Sequence, residues 1–276
     1  MKHLLAGLAV AATALVLAVP AGAVKYGVPD TNNTYPWVGL MVAYDADWTP
    51  LWRCSGSLVQ VEGQDLFLTA GHCTEDPAEH VAIWFNYDVT STGEPGYPDP
   101  STADAIGTPE SHPAFTGRLT IPQTADVGVV YGLTYQNDYV PTSYGVIAPI
   151  GTLETLSTQR GQQNVEFTVV GYGLQSVKPT QSALRLRMIG SVTLVNLRSA
   201  LTAGWNLHYS SNPGLGHQGA GGTCFGDSGG PVLYEGLIIG VNSFVLNANC
   251  AGAGFAYRVD TAFAQDFING PHPVDN

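Results

Sequence analysis

The sequence predicts an all-β fold built from short strands. Ten short segments are apolar or alternate between apolar and polar residues, and clusters of Gly, Pro, Asn and Asp separate them. The chain has 33 glycines, 18 prolines and 45% hydrophobic residues, which favours a turn-rich structure with a substantial core. Many short strands are typical of a barrel or a sandwich. The predicted strands are 37–43, 56–61, 65–69, 80–85, 127–131, 165–170, 184–195, 231–233, 237–242 and 254–259.

The one good helix signal lies near the C-terminus. Asp260 is a candidate N-cap before Thr261, and Phe263, Phe267 and Ile268 fall on one helical face. Two stretches rich in small and polar residues, 90–113 and 210–222, are predicted to be loops. The sequence therefore predicts many strands followed by a terminal helix.

Residues 1–23 have the pattern of a secretory signal peptide. Lys2 gives a positive start, residues 4–19 are apolar, and Ala21-Gly22-Ala23 is a small-residue cleavage site. The apolar run of about 16 residues is shorter than the ~20 residues of a membrane span, and no later segment could cross a bilayer. We expect a secreted protein that begins at Val24 and has no membrane partner after signal removal.

Charge and cysteine content narrow the function further. A formal net charge of −12 argues against a nucleic acid partner. The four cysteines of an exported chain predict two disulfides, and three pairings exist. No C-x-x-C or H-x-x-x-H spacing is present, so no zinc site is expected. We expect no metal and no cofactor.

Two segments supply a nucleophile and a base. Ser228 lies in the run 226–231, Gly-Asp-Ser-Gly-Gly-Pro, and His72 lies in the run 69–73, Thr-Ala-Gly-His-Cys. A serine hydroxyl is a poor nucleophile until a base accepts its proton and a third group orients that base. The acid should lie between them at the start of a strand. Asp126 fits, because it precedes the apolar run 127–130; the other aspartates weighed have loop-like surroundings, namely Asp88, Asp99, Asp104 and Asp138.

These motifs resemble the trypsin-like (chymotrypsin-fold) serine proteases. The family reads L-T-A-A-H-C around its histidine, from which Gly71 departs, and N-D-I-A-L-L around its aspartate, from which Ala125 departs. The resemblance covers nearly all of the chain after residue 23. It is also carried by segments 54–58, 170–173 and 257–259 and by Ser243.

The resemblance implies a specific architecture. The peptidase domain, 24–276, would form two antiparallel six-stranded β-barrels with a C-terminal helix and a catalytic cleft between the barrels. The N-terminal barrel would span about 24–145 and the C-terminal barrel about 146–276, with a boundary near 143–152. The family's disulfide pattern selects Cys54–Cys73 and Cys224–Cys250.

The resemblance also implies acyl transfer. His72 would accept the Ser228 proton as Ser228 attacks a peptide carbonyl, and Asp126 would hold the imidazole in the correct tautomer. Backbone N–H groups of Gly226 and Ser228 would form the oxyanion hole.

The family's primary pocket maps onto three positions. Gly222 would form the floor, where trypsins carry a carboxylate, and Val245 and Gly254 would form opposite walls. The strand Ser243-Phe244-Val245 would pair with substrate backbone. We therefore expect a preference for small or medium apolar side chains before the scissile bond, and not for Lys or Arg.

A last implied feature is activation by the N-terminus. In the family a new terminal ammonium pairs with the aspartate before the nucleophile, here Asp227. Counting back twelve residues from the Pro36-Trp37 pair, as in the family, reaches Val24. Signal removal alone would then create the active terminus.

Two alternatives belong to other classes. The run 226–230 also fits G-x-S-x-G of α/β-hydrolase esterases, but there the histidine follows the serine, and only His272 does so here. A catalytically silent protease-like binding module is the other alternative. The expected partners are protein or peptide substrates, with protein inhibitors as further candidates, and a monomer is the default expectation.

Overall fold

The computed structural model describes residues 24–91, 96–156, 165–177, 180–211 and 221–273, so the predicted signal peptide lies outside it. None of the helices in these ranges is long and apolar enough to span a membrane. The elements are β1 (Val28–Pro29), β2 (Val38–Tyr44), β3 (Pro50–Val61), β4 (Gln64–Thr69), β5 (His80–Trp84), β6 (Ala105–Ser111), β7 (Gly128–Tyr135), β8 (Glu166–Gly171), β9 (Met188–Asn196), β10 (Asn206–Ser211), β11 (Pro231–Tyr234), β12 (Leu237–Val245), β13 (Gly252–Arg258) and helix α1 (Ala262–Ile268).

Strands β2 to β7 form the first barrel. They close in the order β2-β3-β4-β7-β6-β5, and every pairing is antiparallel. All seven residues of β2 are buried. At Gly56 a Cβ would lie 2.3 Å from the Phe67 ring, so this strand approaches its core too closely for any side chain.

Strands β8 to β13 form the second barrel. The order is β9-β10-β13-β12-β11-β8, and β8 also pairs with β9, which closes the six-stranded barrel. The prediction of two six-stranded antiparallel barrels with a terminal helix is confirmed. Strand β1 pairs with the first two residues of β9, beyond the part of β9 that pairs with β10. Residues 28–29 therefore pair with the second barrel, whereas the sequence predicts 24–145 in the first.

The described part of the segment between β7 and β8 contacts both barrels. Strand β7 ends at Tyr135 and β8 begins at Glu166, and the predicted boundary lies between them. Gly145 bridges to Val59 of the first barrel, and Ile147 bridges to Ile238 of the second. The two barrels therefore meet along this segment.

Three strands were not expected from the sequence: β1, β6 and β10. Strand β6 lies inside the predicted loop 90–113, so that prediction is wrong over Ala105–Ser111. Gly107 and Pro109 weaken the strand signal. The glycine is required here, because a Cβ at Gly107 would lie 2.7 Å from the Tyr131 carbonyl oxygen.

The N-cap of the helix lies one residue after the predicted one, Asp260. Thr261 is the N-cap, and its hydroxyl accepts a hydrogen bond from the Ala264 N–H at 3.3 Å. Asp260 instead binds Arg258, with Nε and Oδ1 2.9 Å apart. Phe263 and Phe267 pack against a hydrophobic core cluster that contains buried residues of both barrels.

Both disulfides join the predicted partners. The Cα atoms of Cys54 and Cys73 are 6.2 Å apart, and those of Cys224 and Cys250 are 5.2 Å apart. The first bridge joins β3 to the turn that carries His72, and the second joins the loop that carries Ser228 to the start of β13.

A buried ion pair fixes the N-terminal segment across both barrels. Arg187 Nε lies 2.8 Å from Asp30 Oδ2, and both side chains are fully buried. Arg187 Nη1 also donates to the carbonyls of Val38 and Phe85, at 3.0 and 2.9 Å, which belong to the first barrel. Asp30 accepts two further backbone N–H bonds, from residues 34 and 35.

We expect Asp30→Asn to destabilise the protein by about 3–5 kcal/mol, because it leaves the Arg187 charge buried without its counter-ion. The measurement is urea unfolding with the disulfides intact. Arg198→Gln is the matched control, since the Arg198–Glu154 pair is exposed and its loss should cost under about 1 kcal/mol. Equal midpoints for the two variants would show that the buried pair does not stabilise the fold.

Candidate active site

His72 lies in a single 3-10 turn, Gly71–Cys73, directly after β4. The turn is held by the Cys73 N–H, which donates to the Ala70 carbonyl at 3.0 Å, and by the disulfide to Cys54. The imidazole is 26% exposed, so one edge of the ring is open to solvent.

Asp126 is fully buried and faces His72. Its Oδ2 lies 2.9 Å from His72 Nδ1, and its Oδ1 accepts the His72 backbone N–H at 2.9 Å. Ala125, directly before it, has φ of +47°. An alanine is strained in this left-handed region, which asparagine tolerates better, so the departure from the family's Asn carries a cost of roughly 1 kcal/mol.

Ser243 has a second role that the sequence did not suggest. It lies on β12, in the strand predicted to pair with substrate, and its hydroxyl donates a short hydrogen bond to Asp126 Oδ2. The carboxylate is therefore held from both barrels. Only the folded arrangement brings β12 to Asp126, since 117 residues separate the two groups in sequence.

The surroundings of His72 favour its charged form. Burial by itself lowers the pKa of His72, but the charge and hydrogen bond of Asp126 and the charge of Glu75 outweigh it, so the pKa lies above 6.5. The Nδ1 nitrogen is occupied by Asp126, so Nε2 is the atom available to exchange a proton.

Ser228 lies on a loop that needs two left-handed glycines. Gly226 has φ of +97° and Gly229 has φ of +76°, and a Cβ at Gly229 would lie 1.9 Å from the Thr69 hydroxyl. Strand β3 clamps this loop, because the Ser55 N–H donates to the Ser228 carbonyl at 2.8 Å and the Ser55 hydroxyl donates to the Gly226 carbonyl at 2.8 Å.

Asp227 points away from Ser228 into the protein. Its carboxylate accepts the N–H groups of Gly173 and Cys224, at 2.8 and 2.9 Å. A Cβ at Gly171 or at Gly173 would lie 2.4 Å from this carboxyl group, which explains both glycines of the 170–173 motif. Burial raises the pKa of Asp227 to about 7, against the opposing effects of those two N–H groups and of the Arg53 charge.

Val24, the predicted partner of Asp227, is buried among residues of the second barrel. A Cβ at Gly190 would lie 2.5 Å from a Val24 methyl group. In the chain of 276 residues Val24 carries an amide nitrogen rather than an ammonium group, so the predicted ion pair stays a prediction.

A cavity of about 230 Å³ lies beside His72 and Ser228. Ser243, Phe244 and Val245, which were predicted to bind substrate, line this cavity. No Asp or Glu is among its described lining residues. The other lining residues are Leu119, Thr223, Cys224, Phe225 and Asn242. This cavity suits an apolar side chain.

Tyr209 occupies the space next to the predicted pocket glycine Gly254, and Ser211 occupies the space next to Gly222; sequence reasoning missed Tyr209. A Cβ at Gly254 would lie 2.3 Å from the Tyr209 ring, and a Cβ at Gly222 would lie 2.6 Å from Ser211 Cβ. The Tyr209 hydroxyl lies 2.7 Å from Thr223 Oγ1 and donates to Asn242 Oδ1 at 2.8 Å. Neither glycine is among the described residues that line the cavity. The one sequence signal was a tyrosine in an otherwise polar stretch.

The described residues contain one group of three that could hold a metal ion by distance, Cys54, His72 and Cys73. Both cysteines are oxidised in a disulfide and offer no thiolate ligand. The group is therefore no metal site in this redox state.

Known proteins share this architecture. The Trypsin family model matches residues 25–268. Brachyurin of Leptuca pugilator, a serine protease, is 28% identical over 240 residues, which are 86% of this chain and 93% of brachyurin. Among solved structures, an HL collagenase has a TM-score of 0.65 at 20% identity, over 90% of this chain and 100% of its own. Human heparin binding protein has a TM-score of 0.62 at 18% identity, over 91% of this chain and 100% of its own. With that match along nearly its whole length, the chain belongs to the trypsin family and is a serine endopeptidase.

Proposed function

We propose that Ser228, His72 and Asp126 hydrolyse peptide bonds through an acyl-enzyme intermediate. The observation that carries the proposal is the double contact of the buried Asp126 with His72, in the same cavity as Ser228. His72 Nε2 accepts the Ser228 proton as Oγ bonds to the substrate carbonyl carbon, and then gives that proton to the leaving amine. Water repeats the cycle on the ester and releases the acid.

The backbone N–H groups of Gly226 and Ser228 would stabilise the oxyanion. Within the described chain, neither group donates to another backbone carbonyl, so both remain available for a ligand. The positive φ of Gly226 and the clamp from Ser55 fix the loop before substrate binds. One such donor typically contributes about 3–4 kcal/mol to transition-state stabilisation.

The substrate preference that we propose is for small or medium apolar side chains before the scissile bond. Val245 narrows the cavity, Tyr209 fills the space beside Gly254, and the described lining residues offer no carboxylate to a Lys or Arg side chain. Specificity would then depend on the volume of the side chain before the scissile bond. One methylene group changes the free energy of transition-state binding by about 1–3 kcal/mol.

We also propose that the protein is secreted. The signal-like pattern of residues 1–23 and the two disulfides agree with an oxidising compartment. The α/β-hydrolase alternative is not supported, because the paired strands of both barrels are antiparallel rather than a parallel sheet.

We expect kcat/KM to fall on the acidic side with an apparent pKa above 6.5, because protonated His72 cannot accept the Ser228 proton. Glu75→Gln removes a negative charge that raises the pKa of His72, so the acidic limb should move to lower pH. The measurement is a pH–rate profile at fixed ionic strength. An acidic limb that does not move would show that Glu75 has no electrostatic effect on His72.

We expect a peptide-library digest by the protein starting at Val24 to show cuts after small or medium apolar residues, and Ser228→Ala to lose them. Labelling by a fluorophosphonate probe reports the nucleophile directly and distinguishes an enzyme from a silent binding module. Cuts mainly after Lys or Arg would refute the specificity. Cleavage that survives Ser228→Ala would refute the triad.

We propose that the ammonium group of a processed Val24 pairs with Asp227. Val24 is already buried, Lys25 keeps its charge outside by donating to the Asn249 carbonyl at 2.8 Å, and Asp227 is buried without an ion pair within 4 Å among the described residues. An N-terminal amine has a pKa of about 8, and pairing raises it. While Asp227 is ionised, the stabilisation from the amine is complete below the amine's unfolded pKa and is lost as pH rises through its higher pKa in the folded state.

We expect one extra residue before Val24 to lower kcat/KM by at least about tenfold, because it blocks the ammonium from reaching Asp227. Asp227→Asn should lower kcat/KM by a similar factor. It should also abolish any loss of activity at alkaline pH that comes from deprotonation of the Val24 amine. The comparison uses proteins with verified N-termini. Full activity of the extended protein would refute insertion of the terminus.

A further inference from the structure

Arg53 stands beside the loop that carries the proposed oxyanion hole. It lies on β3 directly before Cys54, and it is partly exposed. A Cβ at Gly226 would lie 3.5 Å from Arg53 Nε and 3.7 Å from Arg53 Nη2. The guanidinium group therefore covers one side of Gly226.

A second arginine lies close to the first. The Arg185 guanidinium stands over the Tyr97 ring, with its central carbon 5.4 Å from the ring centroid. Tyr97 is also close enough to Arg53 to raise the pKa of its guanidinium group. Burial lowers the pKa of Arg53, and the charge of Arg185 lowers it further, which places the two cations within electrostatic range of each other. Tyr97 is thus a neighbour of both arginines, whose like charges repel each other.

The two arginines have unused donors. Arg53 Nη1 and Arg185 Nε are buried atoms without a hydrogen-bond partner in the described chain. Neither side chain lies within 4.0 Å of a described carboxylate, whereas Arg187, Arg198 and Arg258 each bind one. Buried donors without acceptors and adjacent like charges both cost free energy, and a bound carboxylate would relieve both.

The position relative to the chemistry identifies which part of a substrate would reach this pair. The apolar cavity and the strand Ser243-Phe244-Val245 would hold the residues before the scissile bond, and neither arginine lines that cavity. The leaving amine receives its proton from His72, whose turn is joined by Cys73 to Cys54, the neighbour of Arg53. The residues after the scissile bond would therefore leave past Gly226 and Arg53.

We infer that Arg53, Arg185 and Tyr97 form a subsite that binds an acidic side chain among the first three residues after the scissile bond. The inference rests on the proposed peptidase function. The enzyme would then require a small or medium apolar side chain before the scissile bond and a negatively charged side chain after it.

The test uses internally quenched peptides with Ala before the scissile bond and either Glu or Gln, which match in size, at each of the three following positions. We expect kcat/KM for Glu to exceed that for Gln by about tenfold at one position, the effect of one charge-assisted hydrogen bond, and to decline in high salt. The ratio should fall towards one in Arg53→Met and in Arg185→Met. Arg198→Met is the matched control and should keep the ratio, since Arg198 lies on the surface with Glu154.

Two further measurements separate loss of the subsite from a general loss of activity: a charge-reversal variant and the binding of uncleaved peptides. Arg185→Glu should prefer Lys over Gln at the same position, and this ratio is independent of any general loss of activity. Calorimetric binding of the same peptides to Ser228→Ala should rank Glu above Gln without turnover. Equal values for Glu and Gln in both assays, or a preference unchanged in both arginine variants, would overturn the subsite. If no peptide is cleaved but Glu still binds better, the proposed peptidase function fails and the subsite stands.

Discussion

The buried carboxylate of Asp126 is the contact on which the site depends. It accepts the backbone N–H and the Nδ1 atom of His72 from the first barrel and the Ser243 hydroxyl from the second. Burial of a carboxylate costs free energy unless the group accepts hydrogen bonds, and Asp126 accepts three. The Ser243 hydrogen bond joins the two barrels at the cleft, and the two His72 contacts orient the imidazole, so both features depend on one carboxylate.

Asp227 sets a second constraint, which acts through glycine. Its carboxylate needs the Gly173 and Cys224 N–H groups, and the approach leaves no room for a Cβ at Gly171 or Gly173. The loop must then turn at Gly226 and Gly229 with positive φ to present Ser228 on the opposite side. These four glycines look like ordinary turn residues in the sequence. In the structure they allow the chain to pack around the buried Asp227 and to present Ser228.

The sequence predicts what depends on local pattern. Alternation identifies ten of the strands, and Asp126 is recognisable because an apolar run follows it. Strand β6 escapes prediction, since its stability comes from pairing with β5 and β7 rather than from Gly107 and Pro109. The position of Tyr209 against Gly254 depends on the cross-strand register of β10 and β13. Arg53 and Arg185 are 132 positions apart, and no periodicity connects them; only the folded chain shows that both approach Tyr97.

Electrostatics at the cleft must act against the charge of the whole protein. A net charge of −12 repels acidic substrates at long range, but ionic screening limits that repulsion to roughly 8 Å at physiological ionic strength. An arginine pair in contact with a carboxylate acts at shorter range and in a partly desolvated setting, where the same charges interact several times more strongly. In the proposed subsite, the local attraction would therefore exceed the global repulsion once a peptide has docked. Overall charge would then affect the rate of encounter, while the side chains next to Gly226 and Tyr209 would select among the peptides that have arrived.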